Sequence, residues 1–187
     1  TFDEGVFLKC LAKTCFSVHR IEILQQLYAR MVVSFEGKRM YMYQFPMPAI
    51  TVDLVVMSTD GKVLLVTRGP QTEPVEFRNC LAIPGGFVNA NETLEEAAMR
   101  ELKEETGIDL KLQNIKRFQF AFNADKVDRD PRQRTISAVY LALVDLRETP
   151  QVVDTDEISH ASWYDINSLP DKMAFDHREI IEKLRLF

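Results

Sequence analysis

The chain has 187 residues, the length of one domain with an appendage. Hydrophobic residues make up 46%, enough for a sizeable core, and the net charge of −5 argues against a general nucleic-acid surface while leaving room for a local basic pocket. Three cysteines, Cys10, Cys15 and Cys80, are odd in number and lack metal-ligand spacing, which fits reduced thiols in a cytoplasmic protein. No apolar run is long enough to span a membrane and no signal peptide is visible. The chain begins at Thr1 rather than Met, which leaves room for residues upstream.

Residues 1–45 read as an N-terminal helical extension. Ser17 can cap a helix running to about Phe35, with Ile21, Leu24, Leu27, Tyr28 and Met31 at helical spacing. Gly37 ends it, Arg39–Phe45 alternates Met and Tyr as a strand does, and Pro46 and Pro48 punctuate the chain. The segment carries no catalytic pattern. Packing, a dimer surface, the tail of an upstream domain and a direct part in substrate binding all stay open.

Residues 46–187 read as one α/β domain. Thr51–Met57 is a strand rich in Val and Leu, Asp60-Gly61 a turn and Lys62–Arg68 the return strand of a hairpin. A polar loop over Gly69–Asn79 leads to a short strand at Leu81–Ile83, which runs into Pro84-Gly85-Gly86. Further strands are expected near Lys116–Asn123, Thr135–Val144 and Ala161–Tyr164, with a closing helix from Asp176. Phe118, Phe120 and Phe122 alternate, so they should share one strand face, as core or as a platform for stacking a base.

The chemical signal is concentrated in residues 86–108, GFVNANETLEEAAMRELKEETGI. Thr93 and Glu96 fit a capping box, Leu94 to Thr106 a helix, and Gly107 the left-handed position that ends it. Leu94, Ala97 and Ala98 share a face with Glu101 and Glu105, so the helix should pack on the sheet first and present carboxylates second. Glu101, Glu104 and Glu105 are spaced i, i+3, i+4 and cluster. Their mutual repulsion is relieved by a divalent cation, and all-oxygen ligation suits Mg²⁺ or Mn²⁺. Such a run taken by itself is usually solvated surface. Here Gly85-Gly86 lets backbone approach a metal or phosphate closely. Arg100 can orient Glu101 or hold the preceding loop through Glu92.

At every fixed position the segment matches the pattern G-x5-E-x7-R-E-U-x-E-E-x-G-U, in which U is a bulky aliphatic residue. The chain therefore resembles the Nudix hydrolases from about Ile50 to its end. The resemblance implies an α/β/α sandwich around a mixed sheet. It implies cleavage of a nucleoside diphosphate linked to another group, with Mg²⁺ or Mn²⁺ and a water nucleophile. It assigns metal ligation to Glu101, Glu104, Glu105 and the carbonyl of Gly85. It leaves a homodimer open. Two further stretches, Asp128–Ser137 and Ala174-Phe175-Asp176-His177, are similar to elements of ADP-ribose pyrophosphatases. That group includes the Nudix half of bifunctional nicotinamide-nucleotide adenylyltransferases, and Nudix-related regulators that sense ADP-ribose. ADP-ribose is thus the expected substrate, giving AMP and ribose 5-phosphate. A sensor, or a hydrolase of a nucleoside triphosphate, a dinucleoside polyphosphate or a coenzyme A derivative, are the alternatives. The glutamine-tryptophan-proline element of NADH-cleaving relatives is absent, which argues against NADH. A winged helix after His177 is not expected, and no nucleic-acid or membrane partner is expected for this chain.

The expected catalytic set is Glu101, Glu104, Glu105, Arg100 and Glu157. Glu157 comes from the acidic loop that also holds Asp154 and Asp156, and is preferred to Glu101 as general base, with a merely solvated acidic loop as the plain alternative. The expected substrate contacts are Arg68, Arg129, Arg132, Arg134, Gly86 and His177. Arginine forks suit phosphate. A self-paired arginine loop, or a histidine that only supports a helix start, are the plain alternatives.

Overall fold

The computed structural model describes residues 33–36, 39–42, 46–110, 115–145 and 157–185. The chain divides into two units, Thr1–Met47 and Pro48–Phe187. In the first, β1 (Val33–Glu36) and β2 (Arg39–Met42) form an antiparallel pair from Val33↔Met42 to Glu36↔Arg39. The predicted helix therefore does not reach Phe35: the β-branched and aromatic residues Val33 and Phe35 favour a pleated pairing, and Arg39–Met42 supplies the partner. The rest of that helix, with Ser17, lies outside the described residues.

The second unit is built on β3 (Ala49–Ser58), whose burial explains its composition. It pairs in parallel with β8 (Thr135–Val144) over ten residues and antiparallel with β6 (Gly85–Phe87) at Thr51–Asp53. A strand covered on both faces needs a nearly continuous apolar run. Val52, Leu54 and Val56 point into one core with α1 (Leu94–Thr106), while Val55 points into another with α2 (His177–Leu184). The two helices thus cover opposite faces, and the sandwich is α/β/α. β4 (Lys62–Arg68) returns from the turn but touches β3 in register only at Met57↔Val63. The expected hairpin opens there: β4 pairs instead with β5 (Leu81–Ala82) and β9 (Ile158–Asp165). The parting of β3 and β4 leaves room for a cavity between them.

α1 begins and ends where local chemistry dictates. Thr93 accepts from the Glu96 N–H while Glu96 accepts from the Thr93 N–H, and Gly107 stops the helix at φ 70°. Ala97, Ala98 and Leu102 are buried, and Leu94, at the first turn, remains partly exposed.

β7 (Ile115–Ala124) departs from the alternation expected of its phenylalanines. A bulge between Phe120 and Phe122 changes the register against β8. An extra residue in a strand reverses the face of everything beyond it. Phe118 therefore packs with the α1 core, Phe122 with the α2 core, and Phe120 stays 48% exposed against the edge of Tyr140.

Gly107→Ala forces a Cβ into the left-handed region. It should cost about 1 kcal/mol, seen as a fall in melting temperature of roughly 2–4 °C. An unchanged melting curve would show that the cap does not hold the helix end.

Candidate active site

The cavity between β3 and β4 has a volume of about 670 Å³ and is lined by all the glutamates expected to act, together with Arg68, Arg100, Arg129 and Arg132. Its organising side chain is Arg100. Nε and Nη2 grip the two oxygens of Glu92 at 2.8 and 2.6 Å, and Nη1 donates to Glu101 and Glu104 at 2.8 and 2.9 Å. Nη2 also donates to the carbonyl of Phe87 at 3.1 Å. Both expected roles, orienting Glu101 and holding the loop through Glu92, are met by one guanidinium. The grip holds the Glu92 carboxyl at about 2, far below the usual carboxylate range, mainly through the Arg100 hydrogen bonds.

The two inner carboxylates, Glu101 and Glu105, both shift upward, the opposite of Glu92. Burial raises Glu101, against the pull of Arg100. Burial raises Glu105 well above the usual range, and the neighbouring Glu101 adds to it; the Gly85 N–H, donating to Glu105 at 3.0 Å, and Arg68 oppose this only in part. Glu157 also pushes both upward, which places its charge beside theirs. This surplus of negative charge is what a bound cation would relieve.

The two glycines also leave space that protein atoms occupy. A Cβ on Gly86 would lie 2.5 Å from a carboxylate oxygen of Glu101, and one on Gly85 would lie 2.1 Å from the carbonyl of Val52. The predicted glycine loop is in fact a strand, β6, pressed between β3 and the Glu101 carboxylate. Gly85 faces Asp53 in register. The flanking bonds are Leu54 N–H to Pro84 and Val88 N–H to Ile50, so Gly85 occupies a non-hydrogen-bonded position. Its N–H is thereby left for Glu105, and its carbonyl stands outside the ladder. The donor set of glutamate oxygens and a backbone carbonyl fits a hard divalent cation. Among the described residues no three acidic, histidine or cysteine side chains converge closely enough to hold an ion as they stand. Arg100 holds Glu101 and Glu104, and Gly85 holds Glu105.

The expected substrate contacts divide. Arg68, at the end of β4, faces the cavity; its Nη2 donates to the carbonyl of Glu73, and its buried Nε has no hydrogen-bond partner. Burial and the charge of Arg132 both lower its affinity for its proton. Arg132 also faces the cavity, in a bidentate pair with Asp130 at 3.0 and 2.7 Å, and remains 34% exposed. Arg134 donates to the carbonyls of Lys126 and Thr135 and does not line the cavity.

Arg129 and His177 also line the cavity, but each is held by protein partners. The Arg129 side chain is only 4% exposed; it grips Asp176 through Nε and Nη2 and reaches Asp53 at 3.0 Å. Burial opposes its charge, yet Asp176 and Asp53 outweigh burial and raise its affinity for the proton. His177 is buried; its Nδ1 accepts from the Ile83 N–H at 2.9 Å and its Nε2 lies 3.5 Å from Asp53. Burial lowers its pKa, so the ring is neutral and supports the β5–β6 link. Both side chains are committed to tying α2 to β3. Asp53, the hub of this network, escaped sequence reasoning; a lone carboxylate inside the apolar run Thr51–Met57 was its signal. Phe175 was visible only as part of the stretch Ala174–His177, and the Arg132–Asp130 pair is the self-paired alternative for that loop.

Fold and cavity together define an α/β/α domain with a helix-borne carboxylate cluster. Residues 47–184 match the family model described as the NUDIX domain, and the chain belongs to the Nudix family. It is 34% identical to an ADP-ribose pyrophosphatase of Methanocaldococcus jannaschii, over 92% of this chain and 95% of that one. Among solved structures it is similar to the bifunctional NMN adenylyltransferase/ADP ribose pyrophosphatase of Francisella tularensis complexed with AMP and a Mn ion. The TM-score is 0.63 and the identity 30%, covering 77% of this chain and 43% of that one. It is also similar to the Nudix domain of Shewanella oneidensis NrtR complexed with ADP ribose, with TM-score 0.63 and 28% identity over 76% of this chain and 89% of that one. Several other curated relatives are longer proteins, of which the chain spans 38% to 60%. No helix among the described residues is long and apolar enough to cross a membrane.

The raised Glu105 carboxyl favours its protonated form on folding. Its ionisation therefore costs stability, fully avoided below the unfolded value near 4.5 and fully felt once pH has risen through the folded value. Without divalent metal, Glu105→Gln should raise the melting temperature at pH 8, by roughly 2–4 °C per kcal/mol relieved. The gain should vanish at pH 4. A variant less stable than the parent at pH 8 would contradict the crowding of charge.

Proposed function

We propose that the chain hydrolyses ADP-ribose to AMP and ribose 5-phosphate with a divalent cation. The observation that carries this reading is the cavity's division of charge: Glu101, Glu104, Glu105 and Glu157 line the same space as Arg68 and Arg132, and burial there works against the ionisation of Glu101 and Glu105. A diphosphate needs both, cations at its oxygens and arginine forks around them. The similarity to an ADP-ribose pyrophosphatase over nearly the full length of both chains, and to a Nudix domain complexed with ADP ribose, supports ADP-ribose within this class.

Glu101, Glu104, Glu105 and the Gly85 carbonyl would hold the cation, Mg²⁺ or Mn²⁺; the Mn ion in the Francisella structure supports the second as a working metal. When bound, the cation supplies charge neutralisation and lowers the pKa of water. Arg100 keeps Glu101 and Glu104 in place beside it. Arg68 and Arg132 orient the diphosphate. Glu157, exposed at the entry to β9, takes the proton of the attacking water. Water oxygen bonds to one phosphorus, the bridging P–O bond breaks, and the departing phosphate leaves with that oxygen. Arg129, His177 and Asp53 support the site from below. Gly86 gives Glu101 its space.

The similarity to the NrtR Nudix domain makes sensing of the same ligand the second reading. Purified protein with Mg²⁺ and ADP-ribose should release AMP over many turnovers, and Glu105→Gln should lower kcat on the order of 10²-fold or more while remaining folded. Tight binding of intact ADP-ribose with no AMP would replace the hydrolase with a sensor.

A further inference from the structure

Phe175 is the one residue at the cavity whose backbone conformation its own side chain does not favour. It sits at φ 51°, in the left-handed region, next to Asp176, the N-cap of α2. Among the described residues, the only other non-glycine residue with positive φ is Asn79, a type that tolerates it. An aromatic residue there stores strain, and strain of this kind persists where the surroundings over-determine it. What the ring does in that position is visible. Arg68 lies over it at 5.1 Å and Arg132 at 5.8 Å, each measured from the guanidinium carbon to the ring centre. Phe77 packs against it at 4.6 Å between centroids, and Phe87 lies under Arg132 at 5.5 Å.

Two guanidinium groups gathered around one ring repel each other. Arg132 is neutralised by Asp130, but Arg68 has no carboxylate bond: it donates once to a backbone carbonyl and its buried Nε is unpartnered. Unsatisfied buried donors are rare and costly, and a ligand oxygen is one way to satisfy them. The π-electrons of the ring offset part of the repulsion and draw both guanidinium groups to one ring.

We infer that Phe175 is a positioning residue, whose ring, set by a left-handed backbone, holds Arg68 and Arg132 as a paired fork for a diphosphate anion. This rests on the proposed function only for the identity of the complete substrate; the anion fork can be tested without it. Phe175 would act through the two arginines, and its role differs from packing, which any apolar side chain could supply.

The experiment measures binding of inorganic pyrophosphate to metal-free full-length protein by calorimetry, for the parent, Phe175→Leu, Phe175→Tyr and Phe175→Gly, alongside melting temperatures. Leucine keeps an apolar contact with Phe77 but has no π-face, so pyrophosphate Kd should rise about tenfold. Tyrosine should restore it to within about twofold. Glycine removes the left-handed strain and the ring together, so affinity should be lost without a matching loss of stability. With ADP-ribose and Mg²⁺, Phe175→Leu should raise KM by a similar factor and leave kcat within about threefold. Equal pyrophosphate affinity in the parent and the leucine variant, or failure of tyrosine to restore a loss, would overturn the inference. Ring-dependent pyrophosphate binding in a protein that does not turn over ADP-ribose would uphold the fork and remove the substrate assignment instead.

Discussion

The arrangement of the cavity depends on the five hydrogen bonds of Arg100. One guanidinium, three-quarters buried, ties the loop before α1 to the helix through Glu92, aligns Glu101 and Glu104, and closes on the backbone of β6 at Phe87. The planar fork makes this possible: an ammonium has three donors around a point and cannot span two oxygens of one carboxylate while reaching two more glutamates. Without that charge, Glu101, Glu104 and Glu105 would be left to repel one another on a single turn of helix. With it, Glu101 and Glu104 are held, while burial and the charge of Glu101 still oppose the ionisation of Glu105. Holding the carboxylates leaves them not fully neutralised, the condition a divalent cation would exploit.

A second polar network works at the opposite face of the sheet. Asp53 receives Arg129 and stands beside His177, Arg129 grips Asp176, and His177 accepts the Ile83 N–H. Through Ile83 and the close approach of Gly85 to Asp53, the start of α2 is tied to the strand that bears Gly85. Breaking such a buried pair on one side leaves an uncompensated charge, a costly event in a domain interior. Asp53, Arg129 and His177 line the cavity and are at the same time tied to one another, so the cavity is braced from both faces of the sheet.

What the sequence made legible was what is locally determined. The bounds of α1 follow from Thr93, Glu96 and Gly107, all within the segment itself, and the expected helix Leu94–Thr106 is the observed one. The long strands Thr135–Val144 and Thr51–Met57 declared themselves by near-continuous apolar runs. What escaped was set by distant contacts. The bulge in β7 depends on its pairing with β8, so the common face of Phe118, Phe120 and Phe122 could not be checked from spacing. Arg129, Arg132 and Arg134 looked equivalent in one loop, yet Asp53 and Asp176, far away in sequence, claim the first, Asp130 holds the second at the cavity, and the third turns to backbone carbonyls. The parting of β3 from β4, which makes the cavity, follows from β9 and β6 competing for their edges.

The central claim is that the carboxylates held by Arg100 form a divalent-cation site. Titration of the full chain with Mn²⁺, followed by loss of the free-ion electron paramagnetic resonance signal, tests it without substrate. The account predicts saturable binding by the parent, at least tenfold weaker in Glu101→Gln, with the melting temperature confirming that the variant is folded. Mn²⁺ bound equally well by parent and variant would contradict it, because the ion would then be held elsewhere on the acidic surface.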